Sequence, residues 1–319
     1  MVQNIIKNKG GLHNRISHKI RLLPFNLNET ELFLRARKIN YTRYDILQLY
    51  MVMGGIPHYL EKIKRGKSAV QNIDLMCFDK DGTLNDEFNQ LFASLFSESD
   101  THLKMVETLS SVKKGITRDE LIKKTKLKGG GAFSAKLEEL IESGFVTEFG
   151  FFKNKSKQTV YRLTDEYSLF YLKFIKNIKR SGRGTWQRLF TSQSYISWSG
   201  LAFENTCLKH VSQIKKALGI EAVYSENSSW FNKKAQIDLL IDRDDNIINI
   251  CEIKFYKTPF LIDKSCFNDL KKKVTELKSV ISVRKNVFVV MITSFGVVAN
   301  KYSSEIIEND LKMDYLFSD

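Results

Sequence analysis

The chain has 319 residues, 43% of them hydrophobic and 27% charged, which is enough to bury sizeable cores and excludes a disordered or fibrous protein. Its formal net charge of +14 favours a polyanionic partner, with nucleic acid the commonest. Four scattered cysteines without CxxC spacing exclude a zinc ribbon or disulfide framework, and the five histidines show no paired metal spacing.

In chain order, residues 1–95 read as helices joined by short loops. "NLNETELFLRARKI" offers an N-cap at Asn28 and apolar positions at helical spacing. "YTRYDILQLYMVMGGIPHYLEKIKR" reads as two helices broken at Gly54-Gly55-Ile56-Pro57, and "NDEFNQLFASLF" as another amphipathic helix. "MCFDKDGTL" copies the nucleophile motif of haloacid dehalogenase-like phosphatases at Asp79 and Asp81. Its flanks have helical patterns, whereas that chemistry needs a parallel sheet.

Residues 96–165 contain three short helices, then two strands joined by the basic turn "KNKSK". That is the order of a winged helix-turn-helix, in which the third helix enters the major groove and the hairpin meets phosphates. Residues 101–180 carry 17 Lys/Arg against 9 Asp/Glu, a net +8. Lys123, Lys124, Lys153, Lys155 and Lys157 are the candidate phosphate contacts. Glu138, Glu139 and Glu142 on the third helix would repel phosphate, and so favour the other use of such a domain, in protein contacts. Residues 166–196 read as a basic helical connector closed by "SGRG".

From residue 197 the pattern is helix, three strands, helix, strand, which implies a mixed sheet with helices on both faces. The longest late apolar run, "VFVVMITSFGVV", is 12 residues, short of the roughly 20 that a spanning helix needs. No signal peptide is visible, so a soluble, cytoplasmic protein without membrane contact is expected.

The stretch "AQIDLLIDRDDNIINICEIKFYK" places Asp238, Glu252 and Lys254 within apolar strands. A two-residue turn at Asp244-Asp245 or Asp245-Asn246 would put Glu252 opposite Ile237 or Leu239. Asp238 is then displaced by one residue, and convergence with Glu252 needs a bulge or bend. Glu252 and Lys254, two apart, share a face without such help. Two carboxylates suit Mg²⁺ or Mn²⁺, which can polarise a phosphate and lower the pKa of a bound water. A neighbouring lysine can orient that water and offset phosphate charge. The bland reading is the wet face of a hairpin.

Asp238, then 13 residues, then Glu252-Ile253-Lys254 resembles the signature of the PD-(D/E)XK nuclease superfamily, over about residues 197–300. The resemblance implies a restriction-endonuclease-like α/β domain, Asp238 and Glu252 as metal ligands, and Lys254 as catalytic. Glu204, on the helix before, matches the acidic residue often supplied upstream. Gln236-Ile237 stand before Asp238 where the motif's name has Pro, a common variation.

"NKGGLHNRISHKIRLLPFNLNETE" and "MVMGGIPHYL" resemble the later part of archaeal-type AAA+ ATPases related to the signal-transduction ATPases. These often end in a winged helix and a nuclease-like domain. The resemblance implies that Gly54, Gly55 and Pro57 lie near nucleotide and that Arg15 faces phosphates or a neighbouring subunit. A P-loop requires GxxxxGK[ST] after a strand. The one candidate, "EKIKRGKS", has Glu61 at the first glycine and follows a helix. ATP would therefore be a cofactor only if a P-loop half is supplied elsewhere, for instance by a separate chain.

The expectation is an α+β multidomain protein. It has a helical ATPase lid remnant (1–95), a winged helix (96–165), a basic connector (166–196) and a nuclease-like domain with a mixed sheet (197–319). The expected function is metal-dependent cleavage of duplex DNA. The alternative is a non-catalytic DNA-binding or regulatory module.

Overall fold

Short polar side chains start most of the helices, because each satisfies a backbone N–H that the first turn leaves unpaired. In the computed structural model, which describes residues 18, 20–112, 115–150, 152, 159–178, 182–281 and 283–319, Asn26 and Glu29 form a reciprocal capping box on α1 (Leu27–Ala36). The cap is thus Asn26 and not the expected Asn28. Thr42 caps α2 (Arg43–Met53). Gly54 ends α2 with φ +65°, and Pro57 sits in the first turn of the short α3 (Pro57–Leu60). Ser68 and Gln71 box α4 (Ala69–Cys77), and α5 (Glu87–Leu95) follows. Asp79 and Asp81 lie in turns after α4, with Asp79 held by Arg183 at 3.1 Å.

Next come α6 (Ser99–Ser110), β1 (Ile116–Thr117), α7 (Arg118–Thr125), α8 (Gly131–Glu142), β2 (Val146–Gly150) and β3 (Thr159–Leu163). The three strands form one antiparallel sheet in the order β1-β3-β2. Leu121, Phe133, Leu137, Leu140, Val146 and Leu163 are buried at the contact between these helices and the sheet.

Residues 166–196, expected as a basic helical connector, are helical and largely packed against the core. They form α9 (Glu166–Phe170), a π-helical turn (Tyr171–Ile175), α10 (Thr185–Leu189) and the start of α11 (Gln193–Lys209). Trp186 is 1% exposed and meets Phe78, Phe170, Phe174, Tyr195 and Trp198. The aromatic load, not the charge, decides where this segment goes. The large core runs across the positions 95, 165 and 196. One continuous apolar cluster takes in Leu27, Met105, Phe170, Phe203, Ile253 and Phe317.

After α12 (Val211–Ala217) come β4 (Ser225–Phe231), β5 (Gln236–Arg243), β6 (Ile247–Lys254), α13 (Lys264–Lys278), β7 (Asn286–Thr293), α14 (Lys301–Ile306) and β8 (Asn309–Lys312). The sheet is mixed, in the order β4-β5-β6-β7-β8, antiparallel from β4 to β6 and parallel from β6 to β8. Strand β4, at the edge, begins at Ser225. Alternation puts Leu239, Ile241, Cys251 and Ile253 in the large core with Phe203 and Cys207 of α11. Ile248, Ile250, Val289 and Met291 face a second core with Phe267, Leu270 and Leu277 of α13. Phe152 N donates to Ser229 O at 3.1 Å, which joins the chain after β2 to the outer strand β4. Among the described residues no helix is long and apolar enough to cross a membrane.

Candidate functional site

Strands β5 and β6 are joined by Asp244-Asp245-Asn246, with Asn246 in the left-handed region at φ +63°. Asparagine tolerates that conformation because its short amide bonds locally. The turn is therefore three residues long, where the expectation is two. It pairs Leu239 with Cys251 and Leu240 with Ile250. The pairing ends there, so Asp238 and Glu252 each lie one residue beyond the last pair, close enough for the charge of Glu252 to act on Asp238.

On its other side β5 is irregular. Ser228 pairs with Leu240 but Trp230 pairs with Ile237, so Asp238 and Leu239 together oppose Ser229. This is a β-bulge, which re-aims side chains locally. Its effect shows in the cores: Ile237 packs in the second cluster and Leu239, two residues on, in the first. Ser229 Oγ donates to Asp238 O at 3.0 Å and pins the bulge. Asp238 is half-buried and its Oδ1 accepts from Gln236 Nε2 at 2.7 Å. Burial, then the charges of Glu204 and Glu252, push its carboxyl up to about 7.

Glu252, on β6, is 6% exposed and takes an ammonium on each oxygen. Lys254 Nζ lies 2.8 Å from Oε1, and Lys273 Nζ of α13 lies 2.7 Å from Oε2. Burial alone would raise Glu252, but the two lysines outweigh it and hold the carboxyl below its ordinary range. Both lysines are raised in turn, Glu252 outweighing their own burial. Glu252 and Lys254 open onto a cleft of about 470 Å³ whose walls include Tyr256, Asp263, Cys266 and Asp269. Nothing in the sequence singles out Lys273. It lies 19 residues beyond Lys254, on a helix whose pattern gives only its buried face.

Glu204 of α11 lies close enough to act on Asp238, but its Oε1 is held by Arg162 Nη1 of β3 at 2.5 Å. Among the described residues no group of three or more His, Cys, Asp or Glu side chains stands ready to hold a metal ion. Mg²⁺, however, is commonly held by one or two carboxylates with waters completing its shell. Asp238 and Glu252 are hard oxygen donors of that kind, and an ammonium ion already stands at Glu252 where a cation would go.

Gly54 and Gly55 are buried by packing. A Cβ on Gly54 would meet Glu166 Oε2 at 3.0 Å, and one on Gly55 would fall 1.8 Å from Phe25 O. Phe25 N donates to Gly55 O at 2.8 Å, and Pro57 is exposed. Lys123 and Lys124 are exposed at the end of α7, near exposed Lys126 and Lys128. Glu139 pairs with His102 at 2.8 Å, and Glu138 is exposed. Arg15, Lys153, Lys155 and Lys157 lie outside the described residues.

Residues 171–272 match the family DUF234, described as archaea bacterial proteins of unknown function. The matched stretch contains Glu204, Asp238, Glu252 and Lys254 and stops one residue before Lys273. The uncharacterized protein MJECL04 of Methanocaldococcus jannaschii is 22% identical over 291 residues, covering 86% of this chain. The chain spans about 61% of the length of that relative.

Proposed function

We propose that this chain binds duplex DNA and cleaves it in a reaction dependent on Mg²⁺ or Mn²⁺. The observation that carries the reading is Glu252 and Lys254, 2.8 Å apart, in the wall of a cleft, with Asp238 near enough to feel the charge of Glu252. Asp238 and Glu252 would hold the ion, and Glu204 would support Asp238. When bound, such an ion supplies Lewis acidity and a water of lowered pKa. Lys254, in the cleft wall, would orient the attacking water and offset charge on the scissile phosphate. Exposed Lys123 and Lys124 would meet the phosphate backbone, as would Lys153, Lys155 and Lys157. Where a P-loop half is supplied elsewhere, ATP and that half would act on this unit, which would work in the cytoplasm.

The test is incubation of purified protein with supercoiled plasmid and Mg²⁺ or Mn²⁺, beside Asp238→Asn, Glu252→Gln and Lys254→Ala. The expected result is nicking by the parent and a loss of about 100-fold or more in each variant. Equal cutting by all four proteins would overturn the reading.

One observation favours a second reading, a non-catalytic DNA-binding or regulatory module. Glu252 and Glu204 are already neutralised by Lys254, Lys273 and Arg162. Such a module would bind DNA without cutting it. Removing one lysine that meets phosphate, as in Lys123→Ala or Lys124→Ala, would lower the slope of log affinity against log salt by about 1.

A further inference from the structure

Lys273 is nine-tenths buried, with 11% of its side chain exposed, and it touches two carboxylates. Nζ lies 2.7 Å from Glu252 Oε2 and 3.3 Å from Asp269 Oδ2. Asp269 is one turn back on α13, is 57% exposed, and forms part of the cleft wall. The two acceptors differ in kind. Glu252 is buried and shared with a second ammonium, whereas Asp269 faces water. Moving the ammonium from one to the other needs only rotation about bonds of the lysine stem and no shift of the helix.

We propose that Lys273 is a latch on the metal site: its ammonium holds the place of the cation at Glu252 and moves to Asp269 when a divalent ion binds. The inference rests on the reading of Asp238 and Glu252 as ligands. Of the two ammonium ions on Glu252, Lys273 is the one that leaves, because it alone has a second carboxylate within 3.3 Å. Lys254 stays as the group directed at phosphate. The latch also explains how a carboxylate can stay buried without an ion, since an unpaired charge there would be costly.

The latch predicts effects of opposite sign from its two ends. Removing the ammonium frees Glu252 for the ion, so Lys273→Gln binds Mn²⁺ more tightly. Removing the waiting acceptor makes the ammonium harder to displace, so Asp269→Asn binds Mn²⁺ more weakly. A lysine whose charge played no part at Glu252 would give no such pair.

The measurement is calorimetric titration of the full chain with Mn²⁺ alone, without DNA. Lys273→Gln is expected to gain about tenfold in affinity, the equivalent of one charge-assisted hydrogen bond. Lys273→Arg should stay near the parent, and Asp269→Asn should lose about threefold by the same scale. If Lys273→Gln does not fold, Lys273→Met keeps the stem, and the exposed Asp269 carries the test by itself. Parent-like affinity in folded Lys273→Gln or in Asp269→Asn overturns the latch and leaves the metal site standing. No Mn²⁺ binding by the parent or any variant overturns the metal site, and the latch with it.

Discussion

Arg162 Nη1 lies 2.5 Å from Glu204 Oε1, a nearly buried ion pair that ties the three-stranded sheet to α11. Arg162 Nε and Nη2 are buried and find no hydrogen-bond partner among the described residues. The pair therefore carries a desolvation cost that its one bond does not fully offset. Arg162→Ala should lower stability by on the order of 3 kcal/mol, because Glu204 is left charged and unpaired. Arg162→Met with Glu204→Leu should be more stable than Arg162→Ala, since no charge is then stranded. Urea denaturation of the variants checks this; a double variant less stable than the single would contradict it.

His210 sets a pH dependence that urea midpoints can follow. Its Nε2 accepts from Leu27 N at 3.0 Å and its Nδ1 donates to Thr206 O at 2.7 Å, which fixes a neutral ring. Burial is the main cause of a pKa lowered to about 4. Between the unfolded value of about 6.5 and the folded one, the unfolded chain binds more protons. Stability contributed by the neutral ring is therefore whole above pH 6.5, falls as pH drops, and levels off below about 4, a loss on the order of 3 kcal/mol. His210→Gln should be flatter over that window. An unchanged slope would assign the dependence to other groups.

Backbone packing at the Gly54-Gly55 turn gives a third expectation. Gly55→Ala meets a carbonyl oxygen 1.8 Å away and cannot be accommodated by side-chain rotation. It should cost about 2–3 kcal/mol or more, the upper range for overpacking. Gly66 has a positive φ but open space around it, so Gly66→Ala should cost only about 1 kcal/mol. Thermal denaturation orders the two, and equal melting temperatures would remove the packing argument.

The hairpin is legible in the sequence because Asp238, Glu252 and Lys254 are polar residues within apolar strands, and that contrast survives in one dimension. The turn is one residue longer than its composition implies. "DRDDN" contains several turn formers, and its composition does not say that Asn246 takes the left-handed conformation. The bulge opposite Ser229 can be read as a need but not as a place, since a shifted ladder leaves no mark on composition. Lys273 is invisible in one dimension because its meeting with Glu252 depends on how α13 crosses the sheet. Residues 166–196 read as a connector because their lysines and arginines mask Tyr167, Phe170 and Trp186, which are buried.

The bond from Phe152 N to Ser229 O and that from Ser229 Oγ to Asp238 O are consecutive links. Ser229 is thus a hinge pin with one arm on the chain that leaves β2 and the other on the kink that aims Asp238. A tug on that chain of more than a fraction of an ångström must stretch one of the two links or carry the kink along. The backbone of Asp238 is thereby coupled to the neighbouring sheet through Ser229, as Glu204 is through Arg162.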